Sequence, residues 1–134
     1  MRATPFLGQP FAFTMLSCAA VRNPRVSTDC RYVHGHQKEL MRLKVRAILC
    51  AALEAQCDVA ILSAFGCGAY GNPPQGVATL FAEELETLPL FKVVFAIKDD
   101  HNSGRAHSPE GDVAPFERAL GVTGWRAGPA PPGL

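Results

Sequence analysis

A surplus of charge of either sign is missing from this sequence. Its 134 residues carry 13 lysines and arginines against 12 acidic side chains, so the balance gives no reason to expect nucleic acid or another polyanion as a partner. Apolar runs long enough to cross a bilayer are also missing. So are the basic region, apolar run and small-residue cleavage site of a secretory signal, which makes an intracellular protein without a membrane partner the expectation. The five cysteines, Cys18, Cys30, Cys50, Cys57 and Cys67, are odd in number and never form a C-x-x-C pair. That argues against a disulfide framework and a zinc ribbon, and leaves reduced thiols as the default. There are no internal repeats. What remains, 48% apolar and 19% charged residues, is the composition of an ordinary globular chain with a core of its own and no room for a second domain.

The hydrophobic pattern orders the chain. Residues 1–10 hold two prolines and a glycine without a clear period and read as an extended lead-in. Phe11 to Ala20 (FAFTMLSCAA) has no polar face and reads as a buried strand. Val21 to Tyr32, with Asn23-Pro24, Ser27 and Asp29, reads as a loop. From about Gln37 to Gln56, Leu40, Leu43, Ala47 and Ala51 recur at helical spacing, joined by Met41, Ile48, Leu49 and Ala52. Asp58 to Ala64 reads as a buried parallel strand leading into Phe65-Gly66-Cys67-Gly68. Pro73-Pro74 then opens a helix with Val77, Leu80, Phe81, Leu85 and Leu88 on one face. Pro89 separates it from a third strand, Leu90 to Ile97, which ends in Lys98, Asp99, Asp100 and His101. After a polar loop from Asn102 to Gly111, a short helix is expected over Asp112 to Leu120 with Asp112 as N-cap. Alternating strands and helices predict an α/β fold with parallel strands and ligand chemistry at their carboxyl ends.

The segment SAFGCGAYGNPP, Ser63 to Pro74, is the most informative. Three glycines among small residues, between a buried strand and a proline-opened helix, let backbone amides approach phosphate oxygens with no Cβ in the way. The spacing matches neither the G-x-G-x-x-G dinucleotide fingerprint nor the P-loop. On glycines alone, a tight strand-to-helix turn is the preferred reading.

The run ILSAFGCGAYGNPPQGVATLFAEEL, followed by FKVVFAI and preceded by FTMLSCAAVRNP, resembles the microbial-type poly(ADP-ribose) glycohydrolases, a branch of the macrodomain superfamily. The resemblance covers Pro10 to Ile97. It implies a three-layer macrodomain-like sheet with helices on both faces, truncated on its amino-terminal side, with the domain over 11–126 and a disordered tail over 127–134. It also implies an ADP-ribose cleft in which Gly66, Cys67, Gly68, Ala69, Tyr70 and Gly71 wrap the diphosphate and distal ribose. Tyr70 takes the part of the family's ribose-positioning aromatic, and Asn72 pairs with its own loop or caps the helix. No cofactor is implied.

The family's Gly-Gly-Gly loop and Gln-Glu-Glu catalytic motif are absent from this sequence. Glu83-Glu84 imitates the acidic pair but stands late in a helix and reads as solvated surface. Loss of a positioned carboxylate costs glycosidic hydrolysis about a hundredfold or more, so the leading expectation is binding of ADP-ribose or an ADP-ribosylated protein rather than catalysis. A hydrolase that recruits Asp99 or Asp100 is the alternative, and Asp99 is also a candidate acceptor for the ligand. A third reading is an assembly protein with a closed cleft. Uncovered sheet and helix surface in a truncated domain predicts a homodimer. Cys30, His34 and His36 do not reach a convincing metal-ligand set. Cys67 as nucleophile lacks a histidine base, Lys98 reads as a solvated strand-end lysine, and Arg22, Arg25 and Arg31 form a basic cluster that reads as solvated.

Overall fold

The structure, a computed structural model, describes residues 8–88, 92–100 and 108–121. Its element order is α1 (Gly35–Glu54), β1 (Val59–Leu62), α2 (Pro74–Thr87), β2 (Lys92–Phe95) and α3 (Val113–Leu120). The two strands pair in parallel, with Val59 opposite Lys92 and Leu62 opposite Phe95. β1, α2 and β2 thus form one strand–helix–strand unit, because parallel neighbours need a crossover and α2 supplies it. The α/β class expected from the sequence holds. Pro89, residues 101–107 and the tail over 127–134 lie outside the described residues.

The core is built where α1, α2 and α3 meet one face of this sheet. Met41, Val45 and Leu49 of α1, Val77, Ala78, Leu80 and Phe81 of α2, and Phe116 of α3 are buried together. The Phe95 ring lies 5.2 Å from that of Phe81 and 5.3 Å from that of Phe116, so three aromatics tie β2 to two helices. Burial of a ring such as Phe81 stabilises a fold by roughly 1.5–3 kcal/mol. α3 ends on Gly121, whose left-handed backbone (φ 64°) lets its amide donate to the Glu117 carbonyl.

The buried face of α1 is rotated by one position from the expected stripe. Met41, Val45, Ile48 and Leu49 are inside, whereas Leu40 and Leu43 are about half exposed. Both stripes have helical spacing, and the arginines decide between them. Arg42 and Arg46 reach across to α2, where Arg42 pairs with Glu83 at 2.6 Å and with Glu84 at 3.2 Å, and Arg46 pairs with Glu84 at 3.2 Å. Glu84 is therefore not solvated surface. It is buried, and two guanidinium groups compensate its charge.

The largest departure is Phe11 to Ala19, which forms no strand and is exposed throughout. Phe11, Phe13 and Met15 are at least 70% accessible. An apolar run becomes a strand only when a neighbouring strand takes up its amides and carbonyls, and no such ladder forms here among the described residues. Among the described residues the sheet is likewise covered on one side only. Ala60, Leu62, Val93 and Phe95 face the helices, while Val59, Ile61, Lys92 and Val94 are exposed. A three-layer sheet is thus not present among the described residues.

Candidate functional site

The turn after β1 is held by four internal backbone bonds, the first from the Phe65 amide to the Ser63 carbonyl (2.8 Å). The Cys67 amide donates to the Ala64 carbonyl (3.0 Å), the Gly71 amide to the Gly68 carbonyl (2.9 Å), and the Asn72 amide to the Gly66 carbonyl (3.0 Å). The amides of Gly68, Ala69 and Tyr70 have no acceptor among the described residues, and all three residues are exposed. Gly66 and Gly71 adopt positive φ, 75° and 68°, a backbone that a side chain disfavours. Pro73 and Pro74 begin α2 with fixed φ and no amide to satisfy.

Opposite this turn runs the strap that leads from Phe11 to Val21. The strap residues Ser17, Cys18, Ala19 and Ala20 and the turn residues Phe65, Gly66, Gly68, Ala69 and Tyr70 line an open cleft of about 420 Å³. Small side chains leave both walls close to bare backbone. Donors that approach this closely suit an anionic, sugar-bearing ligand. Tyr70 stands at the rim, 39% exposed. Among the described residues the lining holds no carboxylate or imidazole, and its ionisable side chains are Cys18 and Tyr70.

The expected site residues divide accordingly. Gly66, Gly68, Ala69 and Tyr70 are brought together in the cleft, with Gly71 in the turn behind them. The Cys67 side chain points into the core. Burial pushes its thiol well above the ordinary value and so favours the neutral form over a thiolate. Asn72 is fully buried. Its side-chain amide donates to the Val21 carbonyl (2.7 Å) and the Gly66 carbonyl (3.0 Å), and its side-chain oxygen accepts from the Tyr32 hydroxyl (2.8 Å). It pairs with its own loop and does not cap α2.

Asp99 is engaged elsewhere. Its carboxylate accepts from the amides of Asp112 (2.7 Å) and Val113 (3.4 Å), so it caps α3 in place of Asp112, whose own side chain makes no cap bond. The Cα of Gly111 packs so close to Asp99 that a Cβ there would lie 2.6 Å from a carboxylate oxygen. Glu84 is held by the two arginines of α1. His34 and His36 stack on each other at 5.4 Å, and Arg31 pairs with Asp29 on the surface. Sequence reading missed the strap wall, because Ser17 to Ala20 look like the end of a buried strand. It also missed Tyr32, whose ring packs against Gly76 of α2. The run of small residues Ser-Cys-Ala-Ala was the available sign of the strap.

No family model and no curated protein sequence matches the chain. Among solved structures it is similar to the poly(ADP-ribose) glycohydrolase of Deinococcus radiodurans. With that protein in complex with ADP-ribose it shares 30% identity over 64% of this chain and 34% of the other, with a TM-score of 0.55. With its apo form the values are 31%, 64% and 34%, with a TM-score of 0.54. With a point mutant in complex with ADP-ribose they are 32%, 63% and 33%, with a TM-score of 0.53. The resemblance read from the sequence thus holds in three dimensions, and the chain spans about a third of the length of these relatives.

Proposed function

We propose that the chain binds ADP-ribose, free or attached to protein, in the cleft between Ser17–Ala20 and Phe65–Tyr70. The observation that carries this reading is the wall of Gly68, Ala69 and Tyr70, whose amides lie in exposed backbone without acceptors among the described residues. A diphosphate supplies those acceptors, and Tyr70 offers a ring and a hydroxyl beside a sugar. The Deinococcus radiodurans glycohydrolase, to which the chain is similar, is solved with ADP-ribose bound. Binding rather than hydrolysis fits a cleft lined without an acid. Asp99 and Glu84, the carboxylates nearest in type to a replacement, are committed to α3 and to the arginines of α1.

Cys18 lines the cleft and is exposed, so the thiol reports occupancy directly. Alkylation of Cys18 with a maleimide, followed by mass spectrometry, is slowed by ADP-ribose and not by ribose alone. Equal rates at millimolar ADP-ribose refute the site.

The bare sheet face of Val59, Ile61 and Val94, with the exposed Leu40 and Leu43 of α1, supports the further reading that the module self-associates as a homodimer. Parallel sheets are normally covered on both faces, and a second copy supplies helical cover. No described helix is long and apolar enough to cross a membrane.

A further inference from the structure

The two walls of the cleft belong to distant parts of the chain, and one side chain spans the gap between them. Asn72 donates to Val21 at the end of the strap and to Gly66 in the turn, and accepts from Tyr32 in the loop that follows the strap. At this point the walls are in contact, because a Cβ on Gly66 would lie 2.5 Å from the Ala20 Cβ and 2.7 Å from Nδ2 of Asn72. The same loop is fastened a third time, by the Asn23 amide donating to the Tyr70 carbonyl at 2.8 Å. Asn23 holds positive φ, 47°, which asparagine tolerates better than most residues.

We infer that Asn72 and Tyr32 form a latch that sets the width of the cleft, so that they are positioning residues for the ligand without touching it. This rests on the reading of the cleft as the ligand site. Each hydrogen-bonding group of the Asn72 side chain has a partner, and in a fully buried position the loss of one partner leaves a polar atom uncompensated. The backbone around it then relaxes by moving the walls relative to each other. Gly76 completes the latch by lacking a side chain, since a Cβ there would lie 3.0 Å from the Tyr32 ring.

The test is Tyr32→Phe, which keeps the ring packed on Gly76 and removes only the hydroxyl, so that it folds. Asn72→Asp, which turns a donor into an acceptor facing two carbonyls, is the stronger companion. In the folded Tyr32→Phe variant, well below its melting temperature, ADP-ribose affinity falls about three- to tenfold, as expected for one buried hydrogen bond, and AMP, which spans less of the cleft, loses less. A residue that only stabilised the fold would lower the melting temperature and leave the affinity of the folded protein unchanged, and that outcome overturns the latch. Hydrogen exchange of residues 17–24 and 63–72 without ligand supplies a second readout. Faster exchange in Tyr32→Phe confined to these two segments, with the helical amides unchanged, supports the latch even if the wild-type chain fails to bind ADP-ribose, a result that would defeat the functional reading alone. Unchanged exchange overturns the latch whatever the ligand does.

Discussion

Gly66→Ala is the sharpest test of how the turn is built. An added Cβ would sit 2.5 Å from the Ala20 Cβ and 2.7 Å from Nδ2 of Asn72, about 1 Å inside the roughly 3.5–4.0 Å at which such atoms attract. Neither neighbour is the free end of a flexible chain, because Ala20 has only its Cβ and Asn72 is fixed by three partners. The cost is therefore overpacking, about 1–3 kcal/mol, together with roughly 1–2 kcal/mol for a non-glycine residue at the positive φ of this turn. The sum, about 2–5 kcal/mol, is a large part of the 5–15 kcal/mol that typical domains possess. At about 4 °C per kcal/mol for a chain of this size, the melting temperature falls by roughly 8–20 °C. Gly68→Ala is the internal control. Nothing lies within 4 Å of its added Cβ, and such surface changes stay within about 0.5 kcal/mol. Circular-dichroism melts of both variants read the difference. Equal melting temperatures would refute the close approach of strap and turn.

Other consequences follow from the same contacts. Gly68→Leu keeps the melting temperature of the wild type and abolishes ADP-ribose binding, because the side chain grows into the cleft; calorimetry checks the first by scanning and the second by titration. Glu84→Gln costs about 1–2 kcal/mol in urea unfolding, since the pair it weakens is buried on one side and its arginines stay partly solvated; unchanged or higher stability would mean that desolvation already cancels the pair. Burial raises both the Cys67 thiol and the Tyr32 phenol. The fold thus holds their neutral forms, and their contribution to stability is complete below the unfolded thiol value near 9 and is lost as pH climbs from there towards the folded values. Unfolding free energies measured from pH 7 to pH 11 should decline, and Cys67→Ala should flatten the lower part of that decline. Ile61→Lys, which places a charge on the bare sheet face, converts the proposed dimer to monomer by light scattering without altering the melting temperature of the monomer.

What the sequence made legible were the elements whose partners lie close by in the chain. α2 and β2 were marked by Pro73-Pro74 and by the Leu90–Ile97 run, within which β2 covers Lys92–Phe95, and their packing is local to one strand–helix–strand unit. The glycine turn was legible because its conformation is imposed by residues within it. The strap was not, because whether Phe11–Ala19 forms a strand depends on a neighbour rather than on its own apolar pattern. Glu84 was misread for a related reason. A helical wheel shows a charge at the edge of the apolar face but not the arginines of another helix that pair with it. Asn72 and Asp99 are polar residues near the ends of strands, which suits ligand binding and internal bracing equally. Asn72 is buried and bonds within its own loop, while Asp99 is exposed and accepts from the amide of Asp112 at the start of α3, so only their bond partners show that both side chains brace the fold.

The central claim is that the cleft of strap and turn takes ADP-ribose, and isothermal titration of the chain with ADP-ribose, with AMP and NAD as controls, tests it most directly. The account predicts one site of about micromolar affinity, selective for ADP-ribose. Absence of any binding, or equal affinity for all three nucleotides, would contradict it.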